Sequence, residues 1–125
     1  MRLLLDTQIY LWYLADSPKL SKKARAAIGE ADEVFVSAAS IWEATIKVGI
    51  GRLRAAPADL VAGIAASGFV ELPVSAKHGA AVATLPMHLR DPFDRLLIAQ
   101  AVNEPTRLLT ADGLLKRYSD LVEPA

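Results

Sequence analysis

Short continuous apolar runs alternate with longer stretches of helical periodicity along this chain. Arg2–Leu5 opens it with RLLL, an unbroken run of strand length, as expected of a parallel strand covered on both faces. Thr7 is placed to cap a helix over residues 8–15, and Ser17-Pro18 breaks it. Residues 21–31 form a charged, Ala-rich surface helix, and residues 33–36 a second strand. Ser37 is an N-cap for a helix reaching Val48, ended by Gly49-Ile50-Gly51. Pro57 suits the first turn of another helix, which stops at Gly68. Residues 69–72 read as a third strand and residues 75–85 as a helix closed by Pro86. Asp91-Pro92 opens a helix over residues 93–103, Arg107–Thr110 is a fourth strand, and a short helix comes last, over residues 113–118.

Strands alternating with helices predict an α/β fold, a parallel central sheet of four or five strands with helices on both faces. No repeat or linker divides the chain, so residues 1–125 are expected to form one domain.

Composition sharpens this. Hydrophobic residues make up 53% of the chain and mean hydropathy is +0.28, which leaves apolar surface for a second copy or another chain. Fourteen Lys and Arg balance fourteen Asp and Glu, so no global field draws in a polyanion, and one must be held locally. The absence of cysteine excludes disulfides and thiolate metal sites and is consistent with a cytoplasmic protein. With His78 and His88 alone, a histidine-rich zinc site is excluded as well. The opening MRLLLDTQIYLWYLA is interrupted by Asp6 and too short to span a membrane, and reads as mature structure.

Four acids stand at junctions, where an apolar run gives way to the next segment of chain. Ligands of open parallel sheets bind outside the carboxyl ends of the strands. Asp6 comes directly after the first strand, and Asp112 lies two residues past Thr110 at the end of the fourth. Glu43 lies within two turns of the start of the helix behind the second strand, and Asp94 in the first turn of its own helix. Each has an ordinary use as well. Asp6 and Asp112 suit turns or caps, Glu43 can pair with Lys47, and Asp94 favours a helix N-terminus. Two features weigh against those uses. The helix SAASIWEATIKVG is apolar almost all round and should be largely buried, and Asp94 shares a face with Leu97, Ile98 and Ala101. Four carboxylates converging at one sheet edge predict a site for a hard divalent cation such as magnesium.

Four segments carry a family resemblance: LLLDTQIYLW, SAASIWEATIK, DPFDRLLIAQA and LLTADGLLKRY. In order and spacing they resemble the PIN domain, and most of all the VapC-type toxin ribonucleases of bacterial type II toxin–antitoxin pairs, over essentially the whole chain. The resemblance implies that Asp6, Glu43, Asp94 and Asp112 are the metal-site and catalytic acids. It makes Thr110 the small hydroxyl residue before the last acid. It also implies magnesium or manganese, cleavage of RNA, a homodimer and inhibition by a small cognate antitoxin.

The expected reaction is hydrolysis of an RNA phosphodiester by metal-activated water, because the chain offers no cysteine and no placed histidine pair. Arg95, beside Asp94, is the candidate supporting cation; Lys47, Arg52, Arg90, Lys116 and Arg117 are weaker candidates, and His88 is a loop histidine near DPFDR. The competing reading is a catalytically weak PIN-fold module that binds RNA or protein. A phospho-acceptor receiver would need paired acids after the first strand, and a haloacid-type phosphatase an Asp where this chain has Gln8.

Overall fold

At the centre of the sheet lies β1 (Arg2–Leu5), flanked by β2 (Glu33–Ser37) and β4 (Arg107–Thr110), with β3 (Val70–Leu72) and β5 (Val122–Pro124) at the edges. The computed structural model describes residues 1–86, 91–113, 115 and 121–125. All neighbouring strands run parallel in the order β3-β2-β1-β4-β5. The helices are α1 (Thr7–Leu14), α2 (Lys22–Glu30), α3 (Ala38–Gly49), α4 (Pro57–Ala66), α5 (Ala76–Ala81) and α6 (Pro92–Asn103). None of them is long and apolar enough to cross a membrane.

The unbroken apolar strands are explained by a core on each face. Leu3, Leu5, Val34, Val36 and Leu109 point into one, with Ile9 and Tyr10 of α1 and Ile64 of α4. Their neighbours Leu4, Phe35 and Leu108 point into the other, against Leu97, Ile98 and Ala101 of α6. Each such side chain contributes about 1.5–3 kcal/mol by leaving water. The face stripe read for α6 is therefore correct.

Three expectations need correction. Asp6, not Thr7, is the N-cap of α1, and its carboxylate accepts from the Gln8 N–H. Thr7 already belongs to the helix; it is buried and donates its hydroxyl to Ser40 Oγ of α3 at 2.9 Å. The predicted helix over residues 75–85 is regular α-helix only as far as Ala81. Most informative is α3, expected to be largely buried. It buries only the small residues Ala39, Ser40 and Ala44, while Trp42 is 63% and Ile46 41% exposed. Small side chains let the helix sit close to its neighbours, which turns its bulky residues outward. The sheet has five strands; the predicted helix over 113–118 lies mostly outside the described residues.

Helix α4 is locked to α1 at Gly63. A Cβ there would stand 2.9 Å from both Leu14 Cδ2 and Tyr10 Oη. Tyr10 donates its hydroxyl to the Leu60 carbonyl at 2.7 Å, and burial pushes its pKa up to about 12. Gly51 and Gly68, with φ of 78° and 77°, turn the chain in the left-handed region just past α3 and α4.

Candidate active site

A parallel sheet delivers the ends of all its strands to one edge, and the helices connected to them begin there. Asp6 is anchored most firmly. Its backbone N–H donates to the Leu109 carbonyl at 3.0 Å, carrying the β1–β4 ladder one residue further. Its Oδ1 accepts from the Gln8 N–H at 3.1 Å and its Oδ2 from the Thr110 hydroxyl at 2.5 Å. Thr110 Oγ1 in turn accepts from the Asp112 N–H at 3.0 Å. One buried hydroxyl thus ties the acid after β1 to the acid after β4, using the donor and one acceptor position it possesses.

Burial raises the pKa of Asp6, and the charge of Asp112 adds to the rise. The Thr110 and Gln8 hydrogen bonds and the charge of Lys47 work against it. Glu43 is half-buried on α3 and its Oε2 lies 3.6 Å from Lys47 Nζ, one turn further on. The pairing with Lys47 is therefore real, and that lysine also bears on Asp6.

Asp94 feels the crowding most. Its pKa is pushed up to about 7, first by burial and then by the charges of Asp91, Asp6, Glu43 and Asp112. Three of those four are the other acids singled out in the sequence. The fourth, Asp91, is the N-cap of α6 and accepts from the N–H groups of Phe93 and Asp94 at 2.8 and 3.1 Å. Its cap role was legible in the sequence; its place as the foremost charge acting on Asp94 was not. The spacing of three residues at a helix start was the available signal.

Arg95 donates to the carbonyls of Pro86 and Val82 at 2.7 and 3.0 Å, so its guanidinium holds the approach to α6. His88, Arg90, Lys116 and Arg117 lie outside the described residues.

Among the described residues, no three His, Asp or Glu side chains stand close enough to enclose an ion directly. The donor set nonetheless fits a hydrated hard cation. It is all oxygen, and magnesium keeps several waters while using one or two carboxylates. Burial first and then mutual repulsion push the Asp94 pKa up to about 7, and the repulsion is what a divalent charge would relieve.

With this arrangement in view, comparison with known proteins gives a consistent answer. The PIN domain family profile matches residues 3–121. Ribonuclease VapC22 of Mycobacterium tuberculosis is 31% identical over 117 residues, covering 92% of this chain and 90% of that one. Among solved structures, VapBC2 from Rickettsia felis bound to a DNA fragment from its promoter superposes with a TM-score of 0.74 at 18% identity, covering 100% of this chain and 99% of its own. A toxin–antitoxin complex from Klebsiella pneumoniae gives 0.68 at 15% identity, over 97% and 95%. The two structural likenesses bear on the fold, and the profile and the ribonuclease bear on descent. The chain belongs to the PIN domain family.

Proposed function

We propose that this protein is a divalent-cation-dependent endoribonuclease and the toxin of a toxin–antitoxin pair. One observation carries the reading: in a PIN-family chain, Asp94 is pushed up to about 7 by burial and by carboxylates that include Asp6, Glu43 and Asp112, each from a different element. Crowded acids at the carboxyl edge of a parallel sheet are costly to the fold, and perturbed acids of this kind mark functional sites.

Asp6, Glu43, Asp94 and Asp112 would hold magnesium or manganese. When bound, the cation supplies charge neutralisation at the phosphate and a more acidic water. The chain's own part is positional. Thr110 and the Gln8 N–H fix both oxygens of Asp6, and Thr110 also fixes the backbone of Asp112. Lys47 tempers the negative field from the α3 side. Asp94 would be ionised beside a bound cation, whose charge would offset the burial and repulsion that raise its pKa. RNA is the expected polymer because unpaired RNA bends into an acidic cleft and exposes its bases.

The structural relatives include toxin–antitoxin complexes, which supports a small cognate antitoxin as partner. A groove of about 240 Å³, lined by Leu11, Leu14, Leu53, Ala55 and Leu60, lies between α1, α4 and the segment before α4. Its apolar wall and its rim charges Arg54 and Asp59 suit an amphipathic antitoxin segment. Exposed Ile46 and Ile50, at the end of α3 and just past it, suit a homodimer or antitoxin contact. On α1, by contrast, Ile9 is buried and Trp12, Tyr13 and Leu14 pack against the core, so that helix contributes less surface than its sequence suggests.

The test is cleavage of structured RNA by purified protein. Cutting at few sites with magnesium or manganese, and none in EDTA, is expected. Undiminished cutting in chelator sinks the cation-dependent reading, and RNA binding without any cutting favours the weak binding module. Sedimentation of the chain, alone and with the product of the neighbouring gene co-expressed, reads out dimer and antitoxin.

A further inference from the structure

Trp42 is the largest exposed apolar side chain of the molecule's described part, with 63% of its surface open to water. It is not loose. Its ring meets Phe93 edge to face, with centroids 5.3 Å apart and planes at 70°. The backbone of Phe93 is anchored in turn, because its N–H donates to the Asp91 carboxylate at 2.8 Å. The two rings come from different helices, and each immediately precedes a site acid: Trp42 before Glu43, Phe93 before Asp94. An aromatic pair thereby joins the two helices that carry Glu43 and Asp94, with most of the indole uncovered.

We propose that Trp42, braced by Phe93, is a stacking platform for an unpaired base of the RNA whose phosphate lies at the acids. This rests on the ribonuclease reading and names how that substrate is gripped. Net charge is zero and the acids repel a polyanion, so the chain needs a grip that does not depend on charge. Stacking of a base on an aromatic face supplies one and tolerates any sequence, because every base has a π-face. The rival occupant is a second copy of the chain lying along Trp42, Ile46 and Ile50. That stripe leads towards the end of α3, however, whereas the Trp42–Phe93 pair bridges to the first turn of α6, which also carries Asp94.

Two arms test this. In the first, cleavage of a short unpaired RNA is monitored in magnesium for the wild type, Trp42→Ala and Trp42→Phe. KM rises about 10-fold in the alanine variant with kcat nearly unchanged, and phenylalanine restores most of the loss. In the second, Trp12→Phe combined with Asp94→Asn leaves Trp42 as the sole indole in a cleavage-poor protein. Oligoadenylate added in magnesium quenches its fluorescence. No cleavage by the unaltered chain overturns the ribonuclease reading, while quenching then still supports the platform. No quenching with KM unchanged overturns the platform. So does a Trp42→Ala protein that sediments as a monomer where the wild type is a dimer, with kcat and KM moving together.

Discussion

Helix α6 carries an acid at each end, and the two have opposite fates. Asp94, in the first turn, sits where the helix dipole favours negative charge by about 0.3–1 kcal/mol. Glu104, the C-cap, sits where the dipole opposes it. Yet the Asp94 pKa is pushed up to about 7, by burial and then by neighbouring carboxylates, while that of Glu104 is lowered. The cause at the C-terminal end is direct partnership. His78 Nε2 lies 2.7 Å and Lys77 Nζ 3.2 Å from Glu104 Oε2. His78 Nδ1 accepts from the Ser75 N–H at 3.0 Å, so the ring proton resides on Nε2 and is donated to the glutamate. Burial joined by neighbouring carboxylates at one end, and direct partners at the other, outweigh the helix field. A carboxylate given donors serves the fold, and one given other carboxylates awaits something positive.

The sharpest way to break this contrast is Asp94→Asn. Cleavage is expected to fall on the order of 10²-fold or more, since even residues that merely orient metal ligands cost about 10–100-fold when lost. Stability should move the other way. Below 3.8, the ordinary value, Asp94 is protonated whether folded or unfolded; between there and about 7 the unfolded chain releases a proton that the folded chain keeps. Cation-free stability therefore declines as pH rises through that window and levels off above it. Melting in EDTA across this range should show the decline in the wild type and lack this component in the variant, at about 3–6 °C per kcal/mol for this chain length. Magnesium should stabilise the wild type and the variant much less. A variant that melts lower in EDTA yet gains as much from magnesium would leave Asp94 as a helix-terminus acid and nothing more.

Thr110→Val is the intermediate case. It removes the donor to Asp6 and the hydroxyl that accepts from the Asp112 N–H, at an expected cost of about 1–3 kcal/mol. Cleavage should drop about 10–100-fold, and Thr110→Ser should recover most of both. Equal loss in the serine variant would show that the methyl packing, not the hydroxyl, matters.

The smallest effect belongs to Glu104→Gln. Because the folded-state pKa of Glu104 is lowered, its stabilisation is present above the unfolded value near 4.5 and disappears as pH falls through the folded one. The variant should melt below the wild type at pH 7, converge with it in strong acid, and cleave RNA at the same rate. A cleavage defect there would mean that the two ends of α6 are coupled.

Much of the fold was written in periodicity. The continuous runs of β1, β2 and β4 named a sheet covered on both faces, and Leu97, Ile98 and Ala101 named the buried face of α6. Two features resisted. In α3, hydropathy registers Trp42 and Ile46 as interior, whereas helix approach is governed by the small Ala39, Ser40 and Ala44. In β5, three residues ending in Pro124 carry no pattern; pairing with β4 makes the strand. The four candidate acids could be singled out by position, after strands and in the first two turns of helices. Thr110 was named there too, as the hydroxyl before the last acid, but its partner was not legible, because it reaches Asp6 across 104 residues of chain, as Thr7 reaches Ser40 across 33.

One detail of Asp6 sets how tightly such a site is built. Its N–H is still a rung of the β1–β4 ladder, so no loop separates the carboxylate from the sheet. Nothing flexible lies between them to absorb a change of length. Asp6→Glu would push the carboxyl group one methylene outward while the backbone stayed pinned to Leu109, parting it from both the Thr110 hydroxyl and the Gln8 N–H. At this position conserving the charge does not conserve the acid, and the sheet itself is the gauge that tells the two residues apart.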